Sequence, residues 1–256
     1  MPRQSAGERL AAIAAAATEA FGRAGYRGTR TADVAAKAGV STGSLFNYVE
    51  SKEALFHLVF LHGLGMLPEE PVALPLPTPA AGESVAMFER ALGRVAVPRL
   101  RAALADSEPA DVTGELRGIV EELYSLHEQY WRLFAVVERC ANDLSELDTA
   151  WFGGVRSGYN SGLAKYLARR MASGHLRQMP DAMAAAKMVI ESVAWFAWHR
   201  RQGRDSMLFD DQAARRTVVE FTCAALSPDY GQVGLAVEST AKLAGELRPP
   251  RIAVSH

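Results

Sequence analysis

The alternation of apolar and polar positions is helical along nearly the whole chain. Leu10, Ile13, Ala14, Ala17 and Phe21 recur at spacings of three and four, which lines one face of an α-helix. Ser5 and Glu8 precede this run as a capping box, and Gly25 stops it. Two short helical segments follow, Ala32–Ala38 and Thr42–Tyr48, and a longer one begins after Ser51. Five prolines lie between Pro68 and Pro79; lacking the N–H that a helix interior needs, they predict a stiff, extended connection. Beyond it the spacing predicts helices over 83–105, with a break near Pro98, and over 112–145, with a bend or break around Ser125. Three more are predicted over 150–174, 181–201 and 210–226, the last two opened by Pro180-Asp181 and Asp210-Asp211. Periodicity is weak after Pro228, so residues 229–256 are expected to be a loosely ordered tail. With no strand alternation and no internal repeat, the fold class is all-α.

Composition adds little to this, and charge rather more. Apolar residues make up 49% of the 256 and charged residues 22%, enough for a sizeable core. Cys140 and Cys223 both fall in apolar helical stretches, which suits buried free thiols in a reducing compartment, so a cytoplasmic location is expected. The apolar run Leu10–Ala17 lacks the basic front and cleavage site of a signal peptide. Ala182–Trp198 is interrupted by Lys187 and Glu191, and no membrane segment is expected. Residues 1–52 hold seven Arg and Lys against four Asp and Glu, in a chain whose formal net charge is −1. A basic head on an acidic body is the footprint of a protein that meets phosphate with one end; chance asymmetry would look the same.

Thr31 to Tyr48 decides between these readings. Two short helices crossing steeply need a small residue at the crossing, which Ala35 supplies. The turn between them needs a residue that tolerates positive φ, and Gly39 stands four positions on. Val34, Ala38, Val40 and Leu45 occupy the positions that join both helices to the first one. Ser41 can cap the second short helix, leaving Thr42, Gly43, Ser44, Asn47 and Tyr48 to point outward, with no carboxylate before Glu50. Hydroxyls and apolar edges on such a helix suit the negative major groove of DNA. A generic helical hairpin with solvated polar residues is the plainer alternative, and it leaves the coincidence of these constraints at the basic end unexplained.

The segments Gly25-Tyr-Arg-Gly-Thr-Arg-Thr31, Val34-Ala35, Ala38-Gly39-Val40-Ser41, Gly43-Ser44-Leu45-Phe46-Asn47-Tyr48 and Ser51-Lys52-Glu53-Ala54-Leu55 resemble the signature of the tetracycline-repressor (TetR) family. The likeness covers roughly residues 5–66. It implies a three-helix helix-turn-helix head at 1–50 and a helical ligand-binding and dimerisation domain at 51–228, about nine helices in all. The resemblance also implies a double-stranded operator, a homodimer and a small-molecule effector that controls DNA affinity. Thr42, Gly43, Ser44, Phe46 and Tyr48 match recognition-helix positions and Thr31 and Lys52 match phosphate contacts, with Arg30 and Asn47 as further DNA-binding candidates. Lys52 also makes independent sense, because Ser51 caps the helix whose free N–H groups lie beside that ammonium. Phe46 stands where the family often has tyrosine, and Val49 where phenylalanine is common; the first loses a hydroxyl, and the second loosens a corner of the head.

In the body, residues 181–201 are apolar nearly all round, from Ala182 through Val193 and Trp195 to Trp198. Such a helix must be covered on more than one side. Paired with 210–226 it would build a four-helix bundle across a two-fold axis, with Val193 as a candidate interface position. His127, Trp131, Phe134 and Glu138 share a helix face, and Trp151, Tyr159 and Trp195 add aromatic surface; these seven are the candidate effector contacts. Aromatic stripes at this spacing also serve as ordinary core. Glu138 and Glu191 would favour a cationic effector if they faced the cavity. No Gly-rich phosphate loop, no nucleophile motif and no metal-spaced His pair stands in the chain, His57 and His62 being five apart. No enzyme activity, metal or cofactor is expected. A helical interaction module that has lost DNA binding remains a rival, which DNA binding at low salt would separate.

Overall fold

The computed structural model describes residues 5–68, 73–94, 97–203 and 209–228. Among them the chain is helical, and no helix is long and apolar enough to cross a membrane. The tail expected at 229–256 lies outside the described residues.

Helix α1 (Ala6–Gly28) starts on the capping box: Ser5 Oγ accepts from the Glu8 amide at 3.1 Å while Glu8 Oε2 accepts from the Ser5 amide at 2.9 Å. Its apolar face, with Leu10, Ile13, Ala14, Ala17 and Phe21, is fully buried. Gly25 breaks the helix at φ +76°, a conformation that only glycine adopts cheaply. A β-carbon there would also stand 2.8 Å from Asp143 Oδ2. Asp143 uses the opening to accept from the Arg27 amide at 2.9 Å, so a distant stretch of the chain reaches into the break.

Helix α2 (Thr31–Lys37) ends in a Schellman turn: the amides of Gly39 and Val40 donate to the carbonyls of Ala36 and Ala35 at 3.2 and 3.0 Å, with Gly39 at φ +68°. Helix α3 (Thr42–Leu45) is capped by Ser41 and tightens into a turn, the Asn47 and Tyr48 amides donating to Ser44 and Leu45. Helix α4 (Lys52–Gly63) opens on Ser51, whose Oγ accepts from the Ala54 amide at 3.0 Å.

Helices α5 (Glu83–Arg94) and α6 (Pro98–Ala105) replace the expected 83–105, with Pro98 starting the second. Proline is at home in that first turn, where no intrahelical donor is needed. Helix α7 (Val112–Ala141) is the axis of the body, about 45 Å of helix by its rise per residue. The break expected around Ser125 does not occur: Ser125 Oγ donates back to Glu121 O at 2.9 Å and leaves the helix intact. Helices α1 and α4 pack on α7 toward its C-terminal end, through Phe21–Cys140 and Gly63–Leu133, whereas α11 packs toward its N-terminal end through Arg117–Glu220.

The short α8 (Ser145–Asp148), a π-helical turn (Thr149–Val155) and α9 (Arg156–Ala172) run on as one bent helix. Arg170 on α9, 1% exposed, ties α9 to α6 and α7. It donates to Glu115 at 2.9 and 3.0 Å and to the carbonyls of Ala103 and Asp106 at 3.0 and 3.1 Å, so the buried charge is paired with a carboxylate and hydrogen-bonded.

Helices α10 (Ala182–Ala197) and α11 (Asp211–Leu226) each carry an aspartate cap, Asp181 and Asp210. Their apolar surface divides in two. Ala185, Ala186, Val189, Ile190, Val193 and Ala194 of α10 are buried inside the protomer. Val193 therefore sits in the subunit's own core and corrects the expectation that it faces a partner. Met188 (68% exposed), Trp195 (39%) and, on α11, Phe221 (72%) lie on the outside.

Candidate nucleic-acid interface

The residues expected to meet DNA lie at the start of α2, on α3 and its turn, and at the start of α4. Thr42, Gly43 and Asn47 are exposed on α3 and its turn, Phe46 is 39% exposed, and Ser44 and Tyr48 are half-buried. Arg30, exposed, is the N-cap residue of α2 without a side-chain cap bond, and Thr31 is the first residue of that helix. Leu45 and Val49 point the other way and are fully buried. The helix thus offers hydroxyls, an amide and aromatic edges, and its first turn has no acidic residue. Ser44 is less free than its position suggests, because its Oγ lies 2.8 Å from Ser41 Oγ within the cap.

Lys52 opens α4, where the amides of the first turn are unpaired within the helix. Its ammonium stands over the Tyr26 ring, 4.8 Å from the centroid. The Tyr26 hydroxyl donates to Glu53 Oε1 at 2.9 Å. Burial first, and then this bond to a carboxylate, push the Tyr26 phenol well above its ordinary range, so it remains a neutral donor. Tyr26 in turn packs on Phe21 and Phe56, ring centroids 5.8 and 5.1 Å away. It was not among the expected site residues, although it lies within the quoted signature; nothing in the periodicity says that its ring carries a lysine.

A second missed element is the proline-rich connection. Residues 69–72 of the expected stiff connection lie outside the described residues; residues 73–79 are non-helical, with bends at Leu74 and Pro75, and they are also paired. Leu76 donates its amide to Tyr48 O at 2.8 Å and accepts from the Glu50 amide at 3.0 Å. Thr78 donates its amide to Glu50 Oε2 at 2.9 Å and its hydroxyl to Ser51 Oγ at 2.8 Å. The connection is a strap along the backbone that links α3 to α4, and it closes the corner that Val49 leaves.

In the body, the expected effector contacts separate. His127, Phe134 and Trp151 join a closed aromatic core, with Phe134 5.6 Å from the His127 ring and 4.9 Å from Trp151. His127 Nδ1 lies 2.8 Å from Leu123 O, and burial pulls its pKa down to about 4. Glu138 and Glu191 both face Arg156, Glu138 at 3.6 Å. Desolvation opposes ionisation of Glu191, yet Arg156 and Lys187 hold it below the usual carboxylate range. These carboxylates are already matched by a cation. Trp195 lies on the outer face of α10. Trp131 and Tyr159 each border a groove. Tyr159 borders a groove of about 430 Å³ between α5, α6 and α9. The groove runs over Gly154, Gly158 and Gly162, a stripe without side chains, and is otherwise mostly apolar, with Glu89 and Arg101 at its edge. Trp131 borders a larger groove of about 930 Å³ between α1, α4 and α7.

A short capped helix carrying an exposed polar face, set by a glycine turn against a second helix and flanked by a cationic helix N-terminus, defines a helix-turn-helix DNA-binding head. Residues 13–59 match the model of the bacterial regulatory proteins of the tetR family. Over those residues the chain is similar to the DNA-binding head of that family. No curated protein matches it in sequence. Among solved structures, a putative TetR-family transcriptional regulator from Mesorhizobium loti aligns over 88% of this chain and 100% of its own, at 20% identity and a TM-score of 0.46. The fatty acid degradation regulator FadR from Bacillus halodurans aligns over 87% and 97%, at 19% identity and a TM-score of 0.47. FadR from Bacillus subtilis, solved with stearoyl-CoA, aligns over 84% and 97%, at 19% identity and a TM-score of 0.46.

Proposed function

We propose that the protein is a homodimeric repressor that reads a palindromic operator and leaves it when a small apolar or amphipathic molecule binds the body. The observation that carries this reading is the exposed, carboxylate-free face of α3 beside the cationic start of α4. Thr42, Gly43, Phe46, Asn47 and Tyr48 meet base edges and nearby backbone, and Arg30, Thr31 and Lys52 hold phosphates. Residues 1–50 act as the head and 51–228 as the body, with the strap as the additional tie between them.

The outer apolar surface at Met188, Trp195 and Phe221 supports dimerisation through α10 and α11, since three large side chains on two adjacent helices are costly to leave in water. A two-fold dimer places its heads one helical turn of DNA apart, roughly 34–36 Å. The groove over Gly154, Gly158 and Gly162 supports the effector reading: it is mostly apolar, and its volume falls within the usual range for small ligands. Because Glu138 and Glu191 are balanced by Arg156 and Lys187 together, they supply no reason for a cationic effector. An effector shifts the protein off DNA only by its difference in affinity for the two conformations.

Operator selection from random duplex DNA by the purified protein tests the reading. A palindromic consensus is expected, and Lys52→Ala should weaken binding to all sequences alike, lowering the salt slope by about one phosphate's worth. Selection of no consensus, or an unchanged salt slope in Lys52→Ala, would show the proposed docking to be wrong.

A further inference from the structure

The larger groove lies on the seam between head and body, away from the glycine-floored one. Its α1 wall carries Arg23 and Glu19, its α7 wall Tyr130, Trp131 and Arg132, and Arg201 stands at one end. The charges do not balance. Glu19 is paired with Lys37, and Arg23 also lies close enough to help hold its carboxyl below the usual range. Neither Arg23 nor Arg132 makes an ion pair with a described residue; the Arg132 guanidinium instead lies over the Trp131 ring, 4.5 Å from its centroid. Arg201 pairs with Glu128 and Asp211 through Nη2, yet its buried Nε has no acceptor. His62, on the α4 wall, is held below its ordinary pKa by burial and then by Arg132, a sign of local positive potential.

A guanidinium stacked on an indole keeps its edge N–H groups free, and those edges match the two oxygens of a carboxylate or phosphate. The tryptophan and tyrosine supply flat apolar surface alongside. From these features we infer that this groove is a second ligand site, selective for a small oxyanion, carboxylate or phosphate ester, that carries an aromatic ring. The anion sits between Arg23 and Arg132, with Arg201 at the end of the groove adding positive charge, while its ring lies along Trp131 and Tyr130. Because Arg23 belongs to α1 and Arg132 to α7, such a ligand spans the seam between head and body. The site is independent of the effector groove proposed above.

Calorimetric titration of the full chain with 1-naphthyl phosphate, 1-naphthoate and uncharged 1-naphthol tests this. Both anions should bind at one site per chain, and the naphthol at least about tenfold more weakly, as expected when a charge-assisted bond is lost. A phosphate-ester source predicts tighter binding of the first probe, a carboxylate source tighter binding of the second. Arg132→Gln and Arg23→Gln, both at exposed positions, should each weaken anion binding by about tenfold. Lys165→Gln, exposed on α9 and lining neither groove, should leave it unchanged. NMR titration of His62 should show its pKa rising when the anion is bound. Failure of both anions to bind, equal binding of 1-naphthol, or unchanged affinity in both arginine variants would overturn the assignment. None of these outcomes touches operator selection, so the two proposals stand or fall separately.

Discussion

His127 gives the sharpest quantitative expectation. It lies in the closed core against Phe134, with Nδ1 donating to Leu123 O, and its pKa falls from 6.5 to about 4, chiefly through burial. In the unfolded chain the imidazole titrates near its ordinary value. Between those two values the unfolded chain binds the extra proton and the folded one does not, so acid favours unfolding. Stability attributable to this residue is complete above roughly pH 6.5, drains as pH falls, and levels off below about pH 4. From pH 7 to pH 5 the loss comes to about 2 kcal/mol, or roughly 4–8 °C in melting temperature for a chain of this size. His127→Leu removes the titration while keeping the site apolar, and leaving Leu123 O without its donor costs about 1 kcal/mol at neutral pH. Urea or thermal unfolding of both proteins at pH 7 and pH 5, at equal protomer concentration, isolates the difference. His57 and His62, also held down by burial, cancel in that comparison. Equal acid losses in the two proteins, or an imidazole titrating near 6.5 by NMR, would refute the argument and return His127 to the list of groups open to a ligand.

Three further outcomes are expected. Phe221→Glu places a charge on the outer face of α11 and should give monomers of unchanged helicity by light scattering and circular dichroism; Val193→Glu should fail to fold, because Val193 is inside the subunit. Leu76→Pro removes the amide that bonds Tyr48 O, and operator affinity should drop severalfold with the far-ultraviolet spectrum intact; undiminished affinity would make the strap irrelevant to DNA binding. Glu115→Gln leaves the Arg170 guanidinium buried without its carboxylate, and chemical denaturation should show a loss of about 3–5 kcal/mol.

What the sequence disclosed is what short-range chemistry controls. The Ser41 cap, the Gly39 turn and the small Ala35 at the crossing act within a few residues of one another, and each stands where expected. Helix α10 shows the opposite case. Periodicity marks Val193 and Met188 alike as apolar, and only the packing of α7, α9 and α11 decides that one is core and the other is surface. The aromatic positions of α7 diverge for a similar reason: a helix of 30 residues meets different neighbours along its length, so His127 and Phe134 enter the core while Trp131 borders a groove. The strap was legible as non-helical and illegible as paired, since its partners at 48–51 lie far back in sequence and its prolines hide any strand-like alternation.

The strap also changes where the DNA-reading unit ends. A head excised after residue 67 would keep every helix that the sequence motif names, but Tyr48 O, the Glu50 amide and the Glu50 carboxylate would lose Leu76 and Thr78. The reading element is finished by a piece of chain that returns from beyond α4, on its way into α5. Exchanging heads between this protein and another regulator therefore requires a splice at about residue 80 rather than at the end of the recognition turn. A graft cut at the shorter boundary would carry the right side chains on a loosened backbone.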